Sequence, residues 1–348
     1  MNVFLTGGTG FIGQPLTRAL LARGWHVTVL VRKLASPQAQ QIAQLGAYCV
    51  VGDVTNRESL RTGMEGADIV IHNAGHYELG LDAAKKQRMS AINVLGTDNV
   101  LGLALELGLQ RTIYISSVVA LGDTGPSLRD ETFARQTACR SHYEQTKTAA
   151  HALAMHYQER GLPLITLCPN GVMGPNDHSP FGYFLRLYIN RLLPPAAWAP
   201  NRVASFVYID DLVQGIVLAA EKGRTGHTYI LAGESEDQRA MLAVWGTQAG
   251  QCKVRCWLPT WVIKLLATPL EPILRTLGLP AFISREIAEA TISTNYSSAK
   301  AQRELGWSYR SARAMWLDTF AGEYALLAQR RRRGLLARLQ PGRGKWNQ

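Results

Sequence analysis

The opening residues join an apolar strand to a glycine-spaced turn. Met1-Asn2-Val3-Phe4-Leu5 runs into Thr6-Gly7-Gly8-Thr9-Gly10-Phe11-Ile12-Gly13, and a helix-compatible stretch follows from Gln14 to Arg23. Glycines spaced three apart, at Gly7, Gly10 and Gly13, allow a tight turn and a helix packed hard on its strand. They also let backbone approach a pyrophosphate closely. The helix start then offers unpaired N–H groups and a positive dipole end. The unit therefore predicts dinucleotide binding. Because the fold begins at residue 1, it leaves no room for a signal peptide.

The chain of 348 residues is long enough to bury a large core and to hold two domains, or one with an appendage. At 47% hydrophobic and 18% charged it has the composition of a globular enzyme, which excludes a disordered chain. No apolar stretch reaches transmembrane length. Cys49, Cys139, Cys168, Cys252 and Cys256 are scattered and odd in number, which predicts reduced thiols in the cytoplasm and no metal site.

Strand-like and helix-like segments alternate through the first half. His26–Val31, Ala47–Val51, Asp68–His72, Thr112–Ser116 and Leu164–Leu167 read as strands; Ala83–Leu107 and Ser141–Arg160 read as helices. Continuous apolar strands alternating with helices signal a parallel sheet covered on both faces. After Pro169 the prolines break the pattern, although Ser205–Ile209 and His227–Leu231 still read as strands around a helix from Asp211 to Lys222. Helical segments are predicted from Glu236 onward. The expected division is a dinucleotide-binding domain over 1–170, with 205–232 returning to its sheet. A substrate-binding lobe over 171–329 and a basic tail over 330–348 complete it.

Tyr143 and Lys147 lie four residues apart on one predicted helix face, downstream of the strand-ending pair Ser116-Ser117. Catalytic groups belong at the carboxyl ends of parallel strands. A lysine cation beside a phenol is expected to lower the tyrosine pKa from ~10 towards working pH. The phenol can then exchange a proton with a carbonyl or alcohol oxygen while hydride moves to or from a nicotinamide.

With these segments in view, the chain resembles an extended short-chain dehydrogenase/reductase of the NAD(P)-dependent epimerase/dehydratase superfamily over nearly all its length. Thr6–Gly13 resembles the family's TGxxGxxG, Gly52-Asp53-Val54 its adenine-contacting acidic position, and Asn93–Val100 its NVxGTxNV helix. Ser116–Gly122 resembles SSxxVYG, which makes Ser117 the catalytic serine; Tyr143 and Lys147 match YxxxK. Cys168–Pro175 resembles RPxxVYGP, with Cys168 and Met173 departing from it next to the expected nicotinamide and substrate positions. Asn73-Ala74-Gly75 is closer to the short-form enzymes. Phe206–Asp211 and Ser298–Trp307 match later segments.

The resemblance implies a Rossmann-type doubly wound α/β sheet with a smaller, mainly helical C-terminal lobe. It implies Ser117, Tyr143, Lys147 and Asn93 as catalytic residues, Asn93 through a water relay to Lys147 or as a helix brace. Cofactor contacts are implied at Gly7, Thr9, Gly10, Phe11, Ile12, Gly13, Asp53, Val54, Asn73, Ala74, Gly75, Tyr143, Lys147, Pro169, Gly171 and Val172.

NAD-preferring members place an acid at the end of the second strand, where this chain has Val31-Arg32-Lys33 and no acidic residue before Gly52. A guanidinium there matches the 2′-phosphate of NADP, so NADP(H) is the expected cofactor and NAD(H) the alternate. The second half resembles dihydroflavonol reductases and 3β-hydroxysteroid dehydrogenase-like enzymes, through Leu258–Ala267, Glu271–Leu274, Ile283–Glu286 and Tyr296–Lys300. An apolar carbonyl or alcohol substrate follows from that resemblance. The alternatives are an NAD-dependent nucleotide-sugar epimerase or dehydratase, and a non-catalytic cofactor-binding scaffold. A homodimer through the Asn93–Leu107 and Tyr143–Tyr157 helices is also implied.

Net charge is +11, and Arg330–Arg333, Arg338, Arg343 and Lys345 supply seven of the positive charges with no acid among them. A basic tail on a milder body argues against a nucleic-acid channel. It reads as a solvated end or as a peripheral contact with an anionic membrane.

Overall fold

The computed structural model describes residues 1–250, 254–276, 286 and 291–330. The basic run after Arg330, Cys252 and the Ile283–Arg285 stretch lie outside them.

Apolar strands alternate with helices from the first residues. In order they are β1 (Asn2–Thr6), α1 (Gly13–Ala22), β2 (His26–Val31), α2 (Pro37–Gln44), β3 (Tyr48–Val51), α3 (Glu58–Met64) and β4 (Ile69–His72). There follow α4 (Ala83–Ser90), a π-helical turn (Ala91–Leu95), α5 (Gly96–Glu106), β5 (Thr112–Ile115), the short α6 (Val118–Leu121), α7 (His142–Glu159) and β6 (Leu164–Pro169). The second half contributes β7 (Val172–Met173), α8 (Pro180–Ile189), β8 (Ala196–Trp198), β9 (Val203–Ala204), β10 (Val207–Tyr208) and α9 (Ile209–Lys222). It continues with β11 (Thr228–Leu231), β12 (Glu236–Asp237), α10 (Gln238–Ala249), β13 (Cys256–Leu258) and α11 (Thr260–Thr276), then α12 (Ala299–Leu305) and α13 (Ala312–Arg330).

Seven strands form one sheet in the order β3-β2-β1-β4-β5-β6-β11, and every pairing is parallel. The period of two along each strand divides its side chains between two cores. Val3, Leu5, Val29, Ile71, Ile113 and Ile165 meet α1, α9 and α12 on one face. Phe4, Leu30, Val70, Tyr114 and Leu164 meet α3, α5 and α7 on the other. Burial on both faces is why these strands read as unbroken apolar runs. The strand order reverses direction between β1 and β4, which opens a crevice at their carboxyl ends.

Two expected elements differ. The predicted helix over Ala83–Leu107 is interrupted by the π turn at Ala91–Leu95, where the Gly96 N–H reaches back to the Ala91 carbonyl. The segment Ser205–Ile209 supplies only β10, which pairs with β7 in a separate two-stranded sheet; within 205–232 it is β11 that joins the main sheet. Beyond the sheet, an aromatic core gathers Phe206, Trp245, Trp316 and Phe320 with Met173, Leu185 and Tyr188. Trp245 and Trp316 meet edge to face at 5.2 Å.

Among the described residues no helix is long and apolar enough to cross a membrane, and no cluster of side chains could hold a metal ion. Cys49, Cys139, Cys168 and Cys256 are free thiols.

Candidate active site

The glycine turn is built where only hydrogen fits. Gly7 has φ +70°, and a Cβ on it would stand 2.8 Å from the Ala74 Cα. A Cβ on Gly13 would come within 2.0 Å of the Gly7 carbonyl oxygen. Gly10 N–H donates to that same oxygen at 3.0 Å and closes the turn. At the start of α1 the N-cap is Ile12, which offers no side-chain acceptor, and the first turn carries no acid. Gln14 N–H is taken by the Gly10 carbonyl and Pro15 has none, so it is the Ile12 and Gly13 N–H groups that have no partner among the described residues and fit a dinucleotide pyrophosphate. Phe11 packs instead against the lobe core, and the Thr9 carbonyl takes the Gln14 amide at 2.9 Å.

Asn73 and Ala74 brace this turn from the end of β4. Asn73 Nδ2 donates to the Gly7 carbonyl at 3.3 Å, and Ala74 N–H donates to Thr6 Oγ1 at 3.1 Å. Gly75 follows them, facing the Asn93 Oδ1. At the end of β2, Arg32 and Lys33 are exposed, and neither side chain has an ion pair among the described residues. Asp53 follows β3, where its Oδ1 accepts from the Thr55 N–H and hydroxyl at 2.9 and 2.8 Å. Val54 is buried, and its carbonyl takes the Asn99 amide at 2.9 Å. Pro169 ends β6, while a side chain at Gly171 would strike the Phe206 ring at 2.6 Å; Val172 opens β7. All these residues sit at the carboxyl edge of one parallel sheet.

The chemistry-bearing side chains meet at the same edge. Ser117 caps α6 directly after β5, and its hydroxyl is close enough to the Tyr143 phenol to act on its pKa. Tyr143 opens α7, whose N-cap Ser141 accepts from Glu144 N–H at 3.1 Å. One turn on, the buried Lys147 Nζ donates to the Ile115 carbonyl at 3.1 Å and stands 5.3 Å above the Tyr114 ring. Burial lowers Lys147 to about 8.

The expected depression of the Tyr143 pKa is absent. Burial raises the phenol to about 12, opposed only by the Ser117 hydroxyl, because the Lys147 ammonium is turned to the Ile115 carbonyl.

Asn93 serves as a brace. Its Nδ2 donates to the His76 carbonyl and to Thr146 Oγ1, both at 3.0 Å, while its Oδ1 accepts from His76 N–H at 2.7 Å. Thr146 Oγ1 donates in turn to the Tyr143 carbonyl at 2.9 Å. The wide π turn is what presents Asn93 to both the 73–82 loop and α7. Its side chain has no free donor left for a water leading to Lys147.

Sequence reasoning overlooked several groups. His72, fully buried, links Thr6 Oγ1 at 2.8 Å to Thr97 Oγ1 at 3.1 Å, and burial followed by the Lys147 charge lowers it to about 3. A neutral ring protonated on Nε2 satisfies that whole chain, since Thr97 donates onward to the Asn93 carbonyl at 2.7 Å. His151, bonded to Ser116 Oγ at 2.9 Å, is lowered to about 4 by the same two causes. Tyr77 is 43% exposed, with its ring 4.5 Å from that of Tyr143. The charge of Arg202 acts on Tyr77 from the segment before β9. A histidine closing a strand was a visible signal; nothing marked Tyr77 or Arg202. Conversely, Cys168 and Met173 are both buried, the first against Val118, Ile230 and Tyr296 and the second in the aromatic core.

A parallel sheet with a glycine turn at its switch point, facing a Ser–Tyr–Lys set, defines a nucleotide-dependent enzyme of alcohol and carbonyl chemistry. The NAD dependent epimerase/dehydratase family model matches residues 3–232, and the chain belongs to that family, the extended short-chain dehydrogenase/reductases. It is 31% identical to a Synechocystis sp. protein named after dihydroflavonol 4-reductase, over 90% of this chain and 92% of that one. It is 29% identical to the 4-hydroxy-2-methyl-3-oxo-4-farnesyl-3,4-dihydroquinoline-1-oxide ketoreductase of Stigmatella aurantiaca, over 91% and 95%. Among solved structures it resembles gox2253, with TM-score 0.76 and 29% identity over 93% of this chain and 98% of that chain. UDP-glucose 4-epimerase from Thermotoga maritima, at TM-score 0.74 and 20% identity over 94% and 100%, shares the fold.

Proposed function

We propose that the protein is an NADP(H)-dependent oxidoreductase that interconverts a carbonyl and an alcohol on an apolar small molecule. The observation that carries this reading is the half-buried Tyr143 phenol, its pKa acted on by the Ser117 hydroxyl, with Lys147 one helical turn behind it. A nicotinamide dinucleotide held on the glycine turn supplies or accepts the hydride. Tyr143 gives its proton to the carbonyl oxygen in reduction, and burial keeps that proton in place at neutral pH. The Ser117 hydroxyl orients the phenol and the reacting oxygen. Lys147 supplies the counter-charge to the phenolate left behind by swinging its ammonium from the Ile115 carbonyl, and the neutral His72 and His151 leave the positive charge to it.

Arg32, exposed at the end of β2 with no acid beside it, supports NADP(H) through a charge-assisted contact to the 2′-phosphate. The exposed Tyr77 ring packed on Tyr143 supports an apolar substrate surface. The reading extends to a cytoplasmic homodimer whose basic tail contacts anionic membrane.

NADPH oxidation against flavonoid, steroid and simple ketones and aldehydes is the direct test. Turnover of an apolar ketone is expected. Purification with bound NAD, together with interconversion of UDP-sugars and no net NADPH use, would overturn it.

A further inference from the structure

Among the described residues Arg202 has no ion-pair partner. It precedes β9, with its Nε donating to the Ile292 carbonyl at 2.7 Å and its guanidinium 5.7 Å from the Phe206 ring centroid. Of the five N–H donors an arginine carries, the four on the Nη nitrogens have no hydrogen-bond or ion-pair partner among the described residues. The side chain is half-buried, and burial is the largest influence on it, lowering its pKa.

Asp123, the carboxylate close enough to act on it, is already committed. Asp123 Oδ1 accepts from Gly125 and Ser293 N–H at 3.0 and 3.2 Å, and its Oδ2 pairs with Arg140 at 3.0 Å.

The backbone places Arg202 at the edge of the sheet that carries the reacting groups. Residues 291–296 run between the β9 segment and the loop that leaves α6. Thr294 N–H donates to the Val203 carbonyl, while Thr124 N–H donates to the Ser293 carbonyl. Asn170, directly after β6, donates to the Thr294 carbonyl at 2.6 Å. Arg202 therefore sits at the carboxyl edge of the sheet, the edge that carries Ser117. Its charge reaches Tyr77, whose ring lies on Tyr143.

We propose that Arg202 orients the substrate by binding a second, acidic oxygen on it, so that the molecule reduced is a bifunctional apolar ketone carrying a carboxylate or an acidic hydroxyl away from the reacting carbonyl. A half-buried guanidinium with an open fork matches an anionic oxygen in charge and in geometry. Two fixed points, the carbonyl oxygen at Tyr143 and the acidic oxygen at Arg202, allow only one face of the ketone to meet the hydride donor. This rests on the carbonyl-reduction reading above.

The test compares full-length parent protein with Arg202→Gln and Arg202→Lys, each saturated with NADP⁺. Calorimetry follows binding of acetophenone, the ortho, meta and para acetylbenzoates, and UDP. At least one acetylbenzoate should bind the parent roughly tenfold to a hundredfold more tightly than it binds Arg202→Gln, the range of one charge-assisted contact. Arg202→Lys, which keeps the charge but not the fork, should fall between them. Acetophenone and NADP⁺ should bind all three alike, and unchanged NADP⁺ affinity shows that the variants are folded.

Equal losses for acetophenone and the acetylbenzoates, or no loss at all, overturn the proposal. So does Arg202-dependent binding of UDP tighter than that of every acetylbenzoate, because the oxygen would then belong to a nucleotide diphosphate. The two readings fail separately. Arg202-dependent acetylbenzoate binding without NADPH turnover of any ketone removes the reductase reading alone; turnover with selectivity unchanged in Arg202→Gln removes the Arg202 assignment alone.

Discussion

Between β1 and α1 the candidate ligand site is made of backbone, and across the cleft it is made of side chains. On the first side, Gly7, Gly10 and Gly13 clear space, and the Ile12 and Gly13 N–H groups at the start of α1 are open to a ligand. On the second, Ser117, Tyr143, Tyr77 and Arg202 come from four separate segments, held together by Asn93, Thr146 and Asp123. A backbone site tolerates almost no change at its glycines but is indifferent to which ligand lies beyond the phosphates. A side-chain site can be re-aimed by single substitutions. The fold is therefore shared with enzymes of other substrates, while the substrate side is this chain's own.

The largest expected effect lies on the side-chain half. Tyr143→Phe removes one hydroxyl and should lower turnover by ~10²–10⁴ while NADPH affinity stays intact. Near-parental turnover in this variant would show that the proton comes from elsewhere. In the parent, reduction should hold level below pH 8 and decline as pH rises through about 8, where the buried Lys147 loses its charge. The phenol, raised to about 12, stays protonated across that window. A pH–rate profile with no alkaline limb would separate Lys147 from catalysis.

The same contrast explains what the sequence discloses. Continuous apolar runs such as Ile69–His72 announce strands because both faces of the sheet are covered. The glycine spacing announces the turn because a Cβ at Gly13 has nowhere to go. Tyr143 and Lys147 are legible through one helical turn. No local pattern marks Tyr77 or Arg202, since their placement depends on residues 291–296 crossing between distant loops. The π turn was hidden too. Helix-compatible residues run through Ala91–Leu95, and the contacts that widen the turn come from His76 and Thr146.

Gly13→Ala challenges the backbone half. The added methyl meets the Gly7 oxygen and Gly8, so the turn must open. Overpacking of this kind costs about 1–3 kcal/mol, and NADPH and NADH affinity should fall together. Unchanged affinity for both would mean that the turn holds no dinucleotide.

Arg32→Ala sharpens the same half by separating phosphate recognition from the turn. Loss of a charge-assisted contact should weaken NADPH roughly tenfold to a hundredfold and leave NADH nearly untouched. Titration of both cofactors against parent and variant reads this directly. A parallel loss for NADH would assign Arg32 to the fold.

The smallest effect tests whether the lobe can be disturbed without the sheet. Glu236 begins β12, which pairs with β9 beside Arg202, and its carboxylate accepts from the Trp316 indole N–H in the aromatic core. Burial, with the nearby Glu234 and Asp237 adding to it, raises Glu236 to about 7. A carboxyl raised in the folded state contributes stability below its unfolded value of 4.5 and loses it as pH rises through about 7. Glu236→Gln keeps an acceptor for Trp316 but cannot ionise. Its melting temperature should match or fall just below the parent's at pH 5 and exceed it by a few degrees at pH 8, on the order of 1–3 kcal/mol after solvent screening. NADPH affinity should be unaffected throughout, because the glycine turn lies across the cleft. A pH-independent difference would show that Glu236 is not the ionising group, and a coupled fall in NADPH affinity would join the two halves into one unit.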